Sequence, residues 1–214
     1  MSRRPRTQTV PTDAGEARIT WFRATAAPPR LVLAVSHGAG GGIEARDLQA
    51  LAAALPGHGV TVALVEQPWR VAGKKVAPPE DPGHRLARAL AHPGRTGPPG
   101  RRRRPQRRGR VACRTATELG AAAVLALSFP LHPPGKPEKS RADELLGTGV
   151  PTLVVQGGND PFGRPAEFPP GPYALTEVPY GDHGFAVPKK SGRSEAQTME
   201  VITGAVTGWL TSLG

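Results

Sequence analysis

The chain of 214 residues is long enough for one domain with a sizeable core, and its single cysteine, Cys113, excludes an internal disulfide. Hydrophobic residues make up 38% and charged residues 21%, a globular but lean balance, while 27 glycines and 25 prolines call for many turns or a stretch without a packed core. The net charge of +11 would suggest nucleic acid or an anionic surface, but seven arginines fall between Arg101 and Arg110, and taking those seven from +11 leaves an ordinary +4.

The chain opens with Arg3, Arg4 and Arg6 around Pro5, followed by polar residues, so residues 1–15 are expected to form a disordered tail ahead of one domain over residues 16–214. That opening holds no apolar segment suited to export, and no later apolar run nears the ~18 residues of a membrane span. A reducing, cytoplasmic setting without membrane contact is the expectation.

Apolar runs suited to strands follow at Ala17–Arg23 and Leu31–Ser36. The second leads directly into His37, Gly38, Ala39, Gly40, Gly41 and Gly42. A glycine-rich turn between strand and helix lets backbone amides approach an anion or a developing oxyanion, because no Cβ blocks the way. The same turn also fits plain strand-to-helix geometry, whereas a dinucleotide site is poorly supported because the three-glycine spacing is wrong and Glu66 is its one acidic partner. From Glu44 to Leu55, Ala45, Leu48, Leu51, Ala52 and Leu55 recur at helical spacing, with Gly57 and Gly59 as stops.

A strand at Val60–Glu66 and a helix near His84–Ala91 come next; then the rhythm breaks. Residues 93–110 read PGRTGPPGRRRRPQRRGR, an irregular basic insert where a parallel sheet wants a strand. Helix resumes near Val111–Leu119, followed by a strand at Val124–Phe129, a helix at Ala142–Leu146, strands at Thr152–Gln156 and Ala174–Val178, and a helix at Ser194–Leu213. This alternation predicts an α/β fold with a mostly parallel sheet, which binds ligands at the carboxyl ends of its strands.

Two of those ends carry titratable groups. Thr152–Gln156 runs into Gly157, Gly158, Asn159 and Asp160, where an acid that orients a histidine would sit; Asn-Asp-Pro is also an ordinary turn. Ala174–Val178 runs into Tyr180, Gly181, Asp182, His183 and Gly184, and a histidine so flanked is either a surface residue or a base. The order acid then histidine, 23 residues apart, makes the pair more informative than either member. Among other nucleophiles, Ser36 and Ser128 lack an elbow in the sequence, and Cys113 falls inside a predicted helix.

Five blocks in order carry a resemblance: Val35 to Gly42, Glu66 to Gly73, Phe129-Pro130-Leu131-His132-Pro133-Pro134-Gly135, Gly157 to Gly163, and Gly181 to Phe185. Together, from about Leu31 to the C-terminus, they resemble the compact α/β-hydrolase branch related to dienelactone hydrolases. Within that branch they are most similar to the hydrolase-like domain shared with subunit three of the nonspecific-lethal histone acetyltransferase complex and with a testis-expressed protein. The resemblance implies a three-layer α/β sandwich and hydrolysis of a small ester, thioester or other acyl bond, with neither metal nor organic cofactor. It makes Asp160 the triad acid, His183 the triad base, and the backbone of Gly38, Ala39 and Gly40 part of the oxyanion loop.

The family's strand and Gly-x-Ser-x-Gly elbow should precede Val111, and this chain has Arg103-Arg104-Pro105-Gln106-Arg107-Arg108 there, so the central nucleophile strand is expected to be disrupted. A shifted reading frame accounts for this. Alanine, glycine, proline and arginine abound while asparagine occurs only at Asn159, the mark of a GC-rich gene. Read one nucleotide later, residues 100–104 each become Gly, Ala, Val or Asp, and the Gln106/Arg107 junction can become only Ser or Asn, so that Gly-Arg-Ser-Ala-Gly is within reach. Without that shift the chain is a scaffold or interaction module on a hydrolase fold. The basic tract has no interleaved aromatics and no groove-reading helix, so specific nucleic-acid recognition is not expected.

Overall fold

The computed structural model describes residues 4–26, 28–38, 41–75, 112–113 and 116–213. Its first strand, β1 (Arg6–Thr12), turns back at Asp13 and Ala14 into β2 (Gly15–Phe22), with Arg6 opposite Trp21 and Thr12 opposite Gly15. The expected disordered tail over residues 1–15 is thus a strand and turn from Arg6 onward, while residues 1–3 lie outside the described residues. Most of β1 is exposed, so it lacks the apolar alternation that announces a strand; what holds it is the antiparallel ladder to β2 and the turn in which the Thr12 hydroxyl donates to Gly15 O and accepts from Ala14 N.

β2 pairs antiparallel with β4 (Val60–Glu66), which pairs parallel with β3 (Leu31–Ser36), giving the order β1-β2-β4-β3. Between β3 and β4 runs α1 (Arg46–Ala54), closed by a 3-10 turn over Leu55–His58 whose cap, Gly59, sits at φ 78°. The short α2 (Pro68–Val71) follows β4. A second sheet, wholly parallel, contains β5 (Val124–Leu127), β6 (Thr152–Gly157) and β7 (Ala174–Val178) in that order. α3 (Ala142–Leu146) lies between β5 and β6, and α4 (Glu195–Ser212) ends the described chain.

One apolar cluster joins the two sheets. Leu33, Val35, Val62 and Leu64 pack with Leu125, Leu153, Val155 and Val178 under α1 and under Ile202, Val206 and Leu210 of α4. On the opposite face, Val124 and Val154 meet Cys113, Ala116, Phe129, Leu131 and Leu145 of α3. β6 alternates Leu153, Val154, Val155 between these two clusters, so it is buried on both faces, which explains its continuous apolar sequence. These are the layers of an α/β sandwich.

The predicted strand at Val124–Phe129 ends early, at Leu127, because Ser128 adopts φ 49° and turns the chain out of the ladder. α1 likewise gives way to 3-10 winding at Leu55, where Pro56 removes an amide donor. The predicted helix His84–Ala91, the basic insert at 93–110 and the expected disruption of the central strand all lie outside the described residues; of the helix predicted at Val111–Leu119, Ala112 and Cys113 are helical, while residues 116–119 form a turn that leads to Gly120 at φ 62°. Among the described residues, β3 and β5 each end their sheet with one edge unpaired. No helix among them is long and apolar enough to cross a membrane.

Candidate active site

The carboxyl ends of β6 and β7 are held together by glycine. A Cβ on Gly157 would lie 2.4 Å from Gly181 O and 2.5 Å from Asp182 O, so only a residue without a side chain lets these two loops touch. Gly158 N donates to Val178 O at 2.9 Å and Asn159 N to Gly181 O at 2.8 Å, fastening the loop that carries Asp160 to the one that carries His183.

Asp160 is almost completely buried, and its carboxylate meets three donors. Oδ1 accepts from Phe162 N at 2.9 Å, while Oδ2 accepts from Gln156 Nε2 at 2.8 Å and from His183 Nδ1 at 2.8 Å. With Nδ1–H committed to the carboxylate, Nε2 is the ring's basic nitrogen, and it has no hydrogen-bond partner among the described residues. The His183 side chain is 41% exposed, so that nitrogen faces accessible space. Its ring leans on Phe162, centroids 4.3 Å apart. The loop is stiffened from within: Asp182 Oδ1 accepts from Gly184 N and Ala186 N, both at 2.8 Å, and Phe185 at φ 58° buries its ring in the core. The structure thus brings Asp160 and His183 into contact, with the carboxylate on Nδ1 and Nε2 left open.

Gly38, at the end of β3, begins the turn expected to hold an oxyanion. A Cβ there would meet nothing within 4 Å. Its carbonyl accepts from Gly41 N at 3.2 Å and lies 2.9 Å from His37 Nδ1. Since Gln67 N can only donate to His37 Nε2, at 3.1 Å, Nδ1 carries the proton and donates to Gly38 O. Buried His37, its ring nearly perpendicular to that of Trp69 with centroids 5.2 Å apart, thus ties this turn to the start of α2. Ala39 and Gly40 lie outside the described residues, as do Gln106 and Arg107, where the nucleophile was expected.

Ser36 is engaged structurally, donating to Val65 O at 2.8 Å and accepting from Gln67 Nε2 at 3.0 Å. Ser128 is sharper than its sequence indicates: its left-handed φ bends the chain at a strand end, and its buried hydroxyl has no hydrogen-bond partner among the described residues, His183 included. Cys113 is buried in the second apolar cluster. Among the described residues, no three His, Cys, Asp or Glu side chains gather closely enough to hold a metal ion.

Two participants escaped sequence reasoning. Gln156 is fully buried and grips both Asp160 Oδ2 and Gly163 O, each at 2.8 Å; its signal was a lone amide in an otherwise apolar strand. Phe162, which props His183, had no signal beyond following the acid.

The fold is that of the α/β hydrolases. Residues 108–211, just under half of the chain, match the model of the alpha/beta hydrolase domain family. Among solved structures, the esterase domain of a Rhodothermus marinus protein superposes with a TM-score of 0.59 at 11% identity, covering 99% of this chain and 100% of that one. Est1E from Butyrivibrio proteoclasticus gives 0.57 at 12%, covering 97% and 98%, and a lidless α/β serine hydrolase from Xanthomonas campestris gives 0.54 at 14%, covering 97% and 94%. At such identities the likeness is one of fold. No curated protein matches the sequence.

Proposed function

We propose that this protein is, at family level, a serine-type hydrolase of small esters, thioesters or related acyl bonds, with a nucleophile displaced from the written sequence by a shift of reading frame. The observation that carries this reading is the 2.8 Å bond between His183 Nδ1 and the buried Asp160. In the reaction so inferred, a serine encoded across the Gln106/Arg107 junction attacks the acyl carbonyl, and His183 Nε2 takes the hydroxyl proton. Amides of the Gly38, Ala39 and Gly40 turn hold the oxyanion, and the proton returns to the leaving group as the carbonyl re-forms. Water then repeats the sequence and releases the acid. Asp160, accepting from Nδ1–H, keeps the proton on that nitrogen.

The two sheets share one apolar core, and the segment between α2 and β5, where the resemblance puts the nucleophile strand, lies outside the described residues. In the shifted frame, small apolar residues followed by Gly-Arg-Ser-Ala-Gly would provide a strand and an elbow at that position in the chain. In the frame as written, Arg103 to Arg108 occupy it, and the chain is then a hydrolase-fold scaffold without triad chemistry.

Resequencing the codons for His92 to Arg114 tests the frame directly, and a confirmed, unshifted reading sinks it. A fluorophosphonate probe tests the chemistry: the account expects covalent labelling of the chain carrying the serine and loss of labelling in His183→Ala. No labelling of that chain, correctly folded, favours the scaffold.

A further inference from the structure

Two buried histidines sit just beyond parallel strand ends and use the same local device. In each, ring Nδ1 meets the next residue's carbonyl: His37 with Gly38 O at 2.9 Å, and His132 with Pro133 O at 3.0 Å. The second nitrogens differ. That of His37 faces an amide N–H, so its ring is neutral. That of His132 lies 2.9 Å from Glu167 Oε2, a carboxylate that can only accept. A ring between two acceptors can satisfy both only with a proton on each nitrogen, so this geometry favours the imidazolium form of His132.

The clamp made this way leads to the reactive pair. Glu167 belongs to a 3-10 turn (Pro165–Glu167), and its other oxygen, Oε1, accepts from Arg164 N at 2.8 Å. On the other side, His132 N donates to Phe162 O at 3.0 Å. Phe162 in turn donates its own N–H to Asp160 and supports the His183 ring. Leu131 also packs so tightly on Gly163 that a Cβ there would lie 2.6 Å from the Leu131 Cβ. The Asp160–Gly163 loop is therefore pinned from below by the segment after β5.

We propose that His132 is a positioning residue which, as an imidazolium bridging Pro133 O and Glu167, locks the Asp160–Phe162 loop beneath His183, so that loss of its proton as pH rises loosens the pair. The proposal rests on the reading of Asp160 and His183 as a functional pair. It gives a purpose to the Phe129 to Gly135 block, which the triad leaves unused.

The charged groups around His132 fix the sign. The Pro133 carbonyl first and the Glu167 carboxylate second raise its pKa above the usual imidazole value, with burial and the Arg141 guanidinium opposing. Arg141 stands close by, donating to Pro130 O at 3.1 Å. Glu167 is held below the usual carboxylate range by the Arg164 amide and by His132. A histidine whose pKa rises on folding contributes stability that is fully present below its unfolded pKa and is lost as pH climbs through the folded value. The lowered carboxylate contributes above its unfolded pKa and loses this as pH falls through its folded value. The bridge thus stands between the lowered carboxylate pKa and the raised imidazole pKa, and opens as pH climbs past the second.

Histidine-ring NMR on the full chain tests this without requiring turnover. His132 should show both ring N–H protons on the acid side of its titration and lose one at a midpoint above the usual imidazole value. The His183 ring signals should show a step at the His132 midpoint. In Glu167→Gln, the His132 midpoint should fall and the step in the His183 signals should move with it. A His132 midpoint at or below the usual imidazole value, or His183 signals with no step at the His132 midpoint, would overturn the proposal; the wild-type titration alone suffices if the variant fails to fold. Asp160→Asn separates the two readings: if it leaves the His183 ring signals unchanged, the pair reading fails, while the His132 titration still reports on the bridge.

Discussion

Gly157 is where the candidate site is assembled, because the loops carrying Asp160 and His183 meet beside its Cα. An added methyl group would press on two backbone oxygens, atoms that move only if the loops separate. Gly157→Ala should therefore destabilise the protein by about 1–3 kcal/mol, the usual range for overpacking a filled site. Urea unfolding monitored by circular dichroism measures it, and an unchanged midpoint would mean that the loops are not clasped as described. At this scale the sequence was informative in an uneven way. Asp160 and His183 were legible because acid and histidine each follow a strand with glycines alongside. Gln156, Phe162 and the His132–Glu167 bridge were not, since each depends on contacts between segments distant along the chain.

The elements most plainly written in the sequence are those whose burial is patterned. α4 shows Thr198, Ile202, Val206 and Leu210 four residues apart on its buried face, and it opens with a capping box. Ser194 Oγ accepts from Gln197 N at 3.1 Å while Gln197 Oε1 accepts from Ser194 N at 2.8 Å. Ser194→Ala should lower stability by about 1 kcal/mol, readable as a shift in the thermal or urea midpoint, with Ser194→Asp restoring much of the loss. β1 is the opposite case. Its side chains are mostly exposed and polar, and its existence follows from pairing with β2, a long-range fact that local composition does not record.

On the scale of the molecule, the alternation of strand and helix was enough to predict the α/β architecture, and two sheets sharing one core under α1 and α4 carry it out. The order of strands was not legible: β4 stands between β2 and β3, a crossover that only packing decides. That architecture gathers the ends of β6 and β7, and everything proposed about function depends on what they present. The most direct measurement is the proton NMR signal of His183 Nδ1–H in the full chain. A strongly low-field resonance, present in the wild type and lost or moved upfield in Asp160→Asn, is the predicted result. A His183 ring that exchanges its proton freely with water and ignores Asp160→Asn would contradict the account.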